Sequence, residues 1–101
     1  MNPKNLQKLM KEAQKMQERM QEEMEQLRVD AASGGGMVSV QMDGKKRLLS
    51  IKINPQAVDP NDVEMLQDLI VAAVNEAERK VEEALAGQMS GMSSDLLGGL
   101  L

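Results

Sequence analysis

Five cations, Lys4, Lys8, Lys11, Lys15 and Arg19, recur at steps of four, three, four and four residues. On an α-helix, which turns by about 100° per residue, those steps hold them within an arc of roughly 80° along about 23 Å of axis. A row of ammonium and guanidinium groups on that scale suits a polyanion, because each group can neutralise a phosphate and release a condensed counterion; an ordinary solvated helix face, partly neutralised by Glu12, Glu18 and Glu22, accounts for the row equally well. Lysine acts there as a mobile point charge, and only Arg19 has the planar fork that fits guanine edges, so the row favours affinity over sequence reading. Leu6, Leu9, Met10, Ala13, Met16 and Met20 of the same segment point almost the opposite way. The spacing predicts a helix with one face basic and the other buried.

The chain as a whole is acidic, with 12 Lys and Arg against 16 Asp and Glu, so an anion-binding patch requires local segregation. Residues 1–21 carry five basic and two acidic side chains, whereas residues 22–32 carry one and four. Lys45, Lys46, Arg47 and Lys52 stand against Asp43 alone, and residues 59–86 hold eight acids with only Arg79 and Lys80. The charge is polarised along the chain.

Missing residue types exclude most other chemistry. There is no His, Cys, Phe, Trp or Tyr. Without imidazole or thiol, the usual nucleophilic triads and transition-metal sites cannot be assembled, and no cofactor site or enzyme activity is expected. Carboxylate pairs remain possible, but the acids sit mostly on polar helix faces, where a solvated surface accounts for them. Without aromatics there is no platform for stacking unpaired bases. No signal peptide and no apolar run long enough to span a bilayer is apparent, and the absence of cysteine suits a reducing cytoplasm. We expect neither a membrane partner nor a small-molecule substrate. Ten methionines supply bulk in place of aromatics and suit a deformable core or a dimer seam.

A chain of 101 residues is one domain. Asn2 and Pro3 suit the start of a helix running to about Gln26, with a coiled-coil-like seam through Leu6, Ala13, Met20 and Leu27. From Leu27 the apolar period changes to two, predicting a strand over Leu27–Ala32. Gly34, Gly35 and Gly36 then form a hairpin turn; no Lys-Ser or Lys-Thr follows them, so a phosphate-cradling loop is not supported. Val38, Val40 and Met42, then Leu49, Ile51 and Ile53, mark two further strands, and a four-residue loop through Lys46 pairs Val40 with Leu49 and Val38 with Ile51. Asp59-Pro60 opens a second helix over roughly 60–86, with a core stripe of Val63, Leu66, Ile70, Ala73, Val74, Ala77, Val81 and Leu85. Met65, Leu69 and Ala72 project to another side and are the candidate dimer interface. The domain covers residues 1–86, and residues 87–101 read as a flexible tail, with docking through Leu96, Leu97, Leu100 and Leu101 as the lesser alternative.

The order helix, three strands, helix, together with NLQKLMKEAQKMQERM, GGGMVSVQMDG and DVEMLQDLIVAAVNEA, resembles the YbaB/EbfC family of bacterial nucleoid-associated proteins over about residues 4–86. The resemblance implies a two-layer α+β protomer, a homodimer with projecting helices, double-stranded DNA as ligand, and a nucleoid location. It also implies that the first helix binds the DNA, through Lys8, Lys11, Lys15 and Arg19; Lys4 joins them on the helical arc alone. Lys45, Lys46 and Arg47 are a secondary candidate contact, with a hairpin edge kept soluble by charge as the plainer reading. A prefoldin-like chaperone or protein-binding adaptor is the alternative function, because its subunits share the helix, hairpin, helix order. Exposed Met and Leu seams would favour that alternative, and their burial in a dimer would oppose it.

Overall fold

Asn2 starts the first helix as expected. Its side-chain oxygen accepts the Lys4 N–H at 3.1 Å, and Pro3 occupies the first turn, where a missing N–H costs least. The computed structural model describes residues 2–100, with side chains through Gln88. Helix α1 spans Pro3–Gln26 with no internal Gly or Pro. It ends without a glycine: Leu27 turns extended, and the Arg28 guanidinium donates to the carbonyls of Glu25 at 2.5 Å and Leu27 at 2.9 Å. A cation on otherwise unpaired terminal carbonyls also complements the helix dipole.

Three strands follow, β1 (Arg28–Ser33), β2 (Val38–Asp43) and β3 (Leu48–Ile53), forming an antiparallel meander in the order β1-β2-β3. Gly34, Gly35 and Gly36 make the first turn, all at positive φ (59°, 66° and 95°), a conformation that residues with a Cβ rarely adopt. A side chain at Gly34 would also lie 2.7 Å from Leu69 Cδ2.

The second hairpin corrects the expected register. Val40 pairs with Ile51 and Val38 with Ile53, two residues further along β3 than apolar matching alone suggested. The cause lies in the loop. Asp43 N–H donates to Arg47 O at 3.1 Å, and Lys46, at φ 63°, closes a three-residue Gly44–Lys46 connection. An irregularity at Gln41/Met42 then sets the upper part of the strand over by one more residue. A net shift of two preserves the faces, so apolar residues still meet apolar residues.

Helix α2 spans Val63–Leu100. It starts three residues later than the Asp59-Pro60 signal suggested, because Asp59 closes a separate turn by accepting Asn61 N–H at 2.9 Å. Asp62 instead caps the helix by accepting Met65 N–H at 3.2 Å. The backbone stays helical past Gly87, where an end was expected. One glycine costs a helix only about 1 kcal/mol, and Ala84, Leu85, Ala86 and Gln88 beside Gly87 favour it. The alternative of docking through Leu96, Leu97, Leu100 and Leu101 concerns side chains beyond Gln88, outside the described ones.

Val38, Val40 and Met42 of β2, Ala31 of β1, and Ala73, Ala77 and Val81 of α2 form the core, with Leu66, Leu69, Ile70, Val74 and Leu85 packed around it. Val63 is 51% exposed and stands outside the stripe expected for it. The chain measures 71 × 28 × 16 Å with a radius of gyration of 20.2 Å. A compact chain of 100 residues would have about 13 Å. The excess reflects helices that extend beyond the sheet. Within the single chain α1 has no buried residue, so its apolar face is not covered as expected.

Candidate nucleic-acid interface

Helix α1 places Lys4, Lys8, Lys11, Lys15 and Arg19 on a rod exposed at every position from Asn2 to Glu23. Among the described residues none of the five belongs to an ion pair. Glu12, one turn beyond Lys8, forms no ion pair with it. The spacing predicts one shared, exposed face, and that is where the helix puts them.

The hairpin cations differ. Lys45 Nζ lies 2.7 Å from Glu25 on α1, Lys46 Nζ lies 2.7 Å from Glu82 on α2, and Arg47 Nε lies 2.8 Å from Asp43. Hydrogen bonding from Lys45 and its positive charge hold the Glu25 carboxyl below the usual range, and Lys46 does the same to Glu82. Each charge is already matched, so these residues are not equivalent to the α1 row. On α2, Arg79 is held by Glu76 and Glu83 and its guanidinium is stabilised further in the charged form. Lys80 donates to the Asp30 carbonyl at 2.7 Å. The acidic excess of α2 therefore keeps its sign and repels a polyanion.

Asp43 is the residue that sequence reading passed over. It is 1% exposed, the one charged side chain in the interior among the described residues. Burial pushes its pKa up, but hydrogen bonds from the Arg47 backbone and guanidinium and from the Lys45 backbone prevail, and the carboxyl lies below its ordinary value of 3.8. Its partners are 2.8–2.9 Å away. A loop through Lys46 was legible; the contact of Gly44 with α1 was not.

The candidate dimer residues separate. Leu69 packs on its own chain beside Gly34, and its carbonyl accepts Ser33 Oγ–H at 2.5 Å, whereas Met65 and Ala72 are exposed. A larger uncovered apolar surface lies on β3, where Leu48, Leu49, Ile51 and Ile53 are each about two-fifths exposed. Val40 and Val38, directly opposite Ile51 and Ile53, are buried beneath α2, so the helix covers β1 and β2 and leaves the β3 edge bare. Val58, Val63 and Val71 are also exposed. Among the described residues no group of His, Cys, Asp or Glu is arranged to hold a metal, and no helix is long and apolar enough to cross a membrane.

Fold and charge together define a class: a small α+β protein with a three-stranded meander and a row of five cations, none in an ion pair among the described residues, on one projecting helix. The model of the YbaB/EbfC DNA-binding family matches residues 1–96. A nucleoid-associated protein of Acidobacterium capsulatum is 52% identical over 106 aligned positions, covering 99% of this chain and 94% of that protein. One from Lachnoclostridium phytofermentans is 50% identical, covering 97% and 89%. The crystal structure of an uncharacterized protein from Helicobacter pylori superposes with a TM-score of 0.74 at 27% identity, covering 91% of this chain and 97% of that one. This chain belongs to the YbaB/EbfC DNA-binding family.

Proposed function

We propose that the protein binds double-stranded DNA through phosphate contacts from the basic face of α1, with little discrimination of sequence, and acts as a homodimer at the nucleoid in the cytoplasm. The observation that carries the reading is the row Lys4, Lys8, Lys11, Lys15 and Arg19, exposed and without ion-pair partners among the described residues, in a chain whose other cations are largely engaged. Flexible lysines along one rod reach phosphates on either side of a groove, and phosphates carry no sequence information. A dimer supplies two such rows, and when both reach one duplex the second binds at a high effective concentration.

The homodimer is supported by the apolar surface the single chain leaves uncovered, on β3 and on the Leu6, Leu9, Met10, Met16 and Met20 face of α1. The same α1 face favours a second reading, a prefoldin-like or protein-binding adaptor. Titration of labelled random duplex at several salt concentrations separates the two. Affinity that falls steeply with salt, and is lost in a Lys8→Glu/Lys15→Glu variant that keeps the wild-type oligomeric state, supports phosphate binding. Binding indifferent to salt refutes it.

A further inference from the structure

Residues from Asn2 to Glu23 are all exposed, so whatever orients the cation row acts at the other end of α1, where Met24 is the first side chain partly withdrawn from solvent. There the β2–β3 hairpin meets it. Gly44 N–H donates to the Met24 carbonyl at 2.8 Å. A Cβ at Gly44 would lie 2.5 Å from that oxygen, 2.8 Å from Met24 Cα and 3.0 Å from Met24 C. These are backbone atoms, which cannot rotate aside as a side chain does. The loop around Gly44 is itself held from inside by the buried Asp43 carboxylate, which accepts the N–H groups of Lys45 and Arg47 and the Arg47 guanidinium. Two adjacent lysines then reach to opposite helices, Lys45 to Glu25 of α1 and Lys46 to Glu82 of α2.

We infer that the Asp43–Arg47 hairpin is the joint that sets the angle at which α1 projects, with Gly44 as a positioning residue for the DNA-binding row. The inference rests on the reading of α1 as the DNA-contacting element. Its force comes from leverage. Lys4 lies twenty residues before Met24, roughly 30 Å along the axis at 1.5 Å per residue, so a tilt of about 10° at the joint carries Lys4 some 5 Å sideways. That displacement exceeds the length of a hydrogen bond, so in a dimer it changes the separation of the two rows and both can no longer keep their phosphates on one duplex. Because the close approach is backbone to backbone, glycine is required there for its size: its φ is outside the left-handed region.

The chain has no cysteine, so a label pair can be placed by Gln14→Cys and Gln56→Cys at two exposed sites, with labelled protein diluted into unlabelled protein. In the Gly44→Ala variant the spin-label distance distribution should shift by several ångströms or broaden. Affinity for random duplex should fall at least about fivefold at constant salt, with a shallower salt slope as phosphate contacts are lost, while helical content stays at the wild-type value. An unchanged distance distribution overturns the joint. A changed distribution with wild-type affinity overturns the positioning role. If Lys8→Glu/Lys15→Glu binds DNA like wild type, the DNA face itself is wrong, a failure separable from that of the joint. Should Gly44→Ala not fold, Asp43→Asn removes the charge that holds the same hairpin from inside. That variant must broaden the same distance, or the joint is refuted.

Discussion

Neutralising Lys8 and Lys15 together, as Lys8→Gln/Lys15→Gln, tests the phosphate mechanism quantitatively. Five cations spaced along about 23 Å of helix can meet at most five phosphates, so a single α1 row gives a slope of log K against log salt no steeper than about −4.5. Removing two contacts leaves about −2.7. Between about 50 and 200 mM salt, the wild-type row then loses up to roughly 500-fold in affinity, and the variant only about 40-fold. If both rows of a dimer engage one duplex, the slopes double and the difference between them rises to about 3.6. Glutamine removes charge without introducing repulsion, and both sites are exposed, so the fold is undisturbed. Fluorescence anisotropy with a random duplex at four or more salt concentrations measures both slopes. Equal slopes would refute the assignment of Lys8 and Lys15 to phosphates, even if absolute affinity fell.

Three further predictions concern the scaffold. Ile51→Glu places a charge on the uncovered face of β3 and should shift the protein to monomer in sedimentation at micromolar concentration; an unaltered dimer moves the interface elsewhere. Val81→Ala removes two methyl groups from a side chain with 0% exposure and should cost about 2 kcal/mol in chemical denaturation, with the denaturant dependence unchanged. Because the folded pKa of Asp43 is depressed below 3.8, its stabilising effect is present above that value and lost as pH falls through the folded pKa. The melting temperature should therefore hold between about pH 5 and 7 and drop at lower pH, and Asp43→Asn should flatten part of that drop. The lowered carboxyls of Glu25, Glu76 and Glu82 act in the same direction, so some of it will persist.

The amino-acid sequence by itself determined α1, its two faces, the three strands, the glycine turn and the polarisation of charge. Each depends on residue type and on spacing within a few positions, and the helical and extended backbones have fixed periods of about 3.6 and 2 residues. The α1 row was legible for that reason: exposed cations on one helix face require no distant partner. Tertiary structure alone decided which cations are free. Lys45, Lys46 and Arg47 read as one basic cluster, yet Lys45 finds its acid 20 residues away and Lys46 finds one 36 residues away. The β2–β3 register turned on hydrogen bonds around a buried aspartate, whereas apolar matching is equally satisfied by a shift of two. The start of α2 was decided between two aspartates three residues apart, each a suitable cap, by the turn preceding it. Coverage also lay beyond local pattern. Periodicity shows that a face is apolar, but whether its own chain or another covers it depends on where α2 crosses the sheet and how far α1 projects past it.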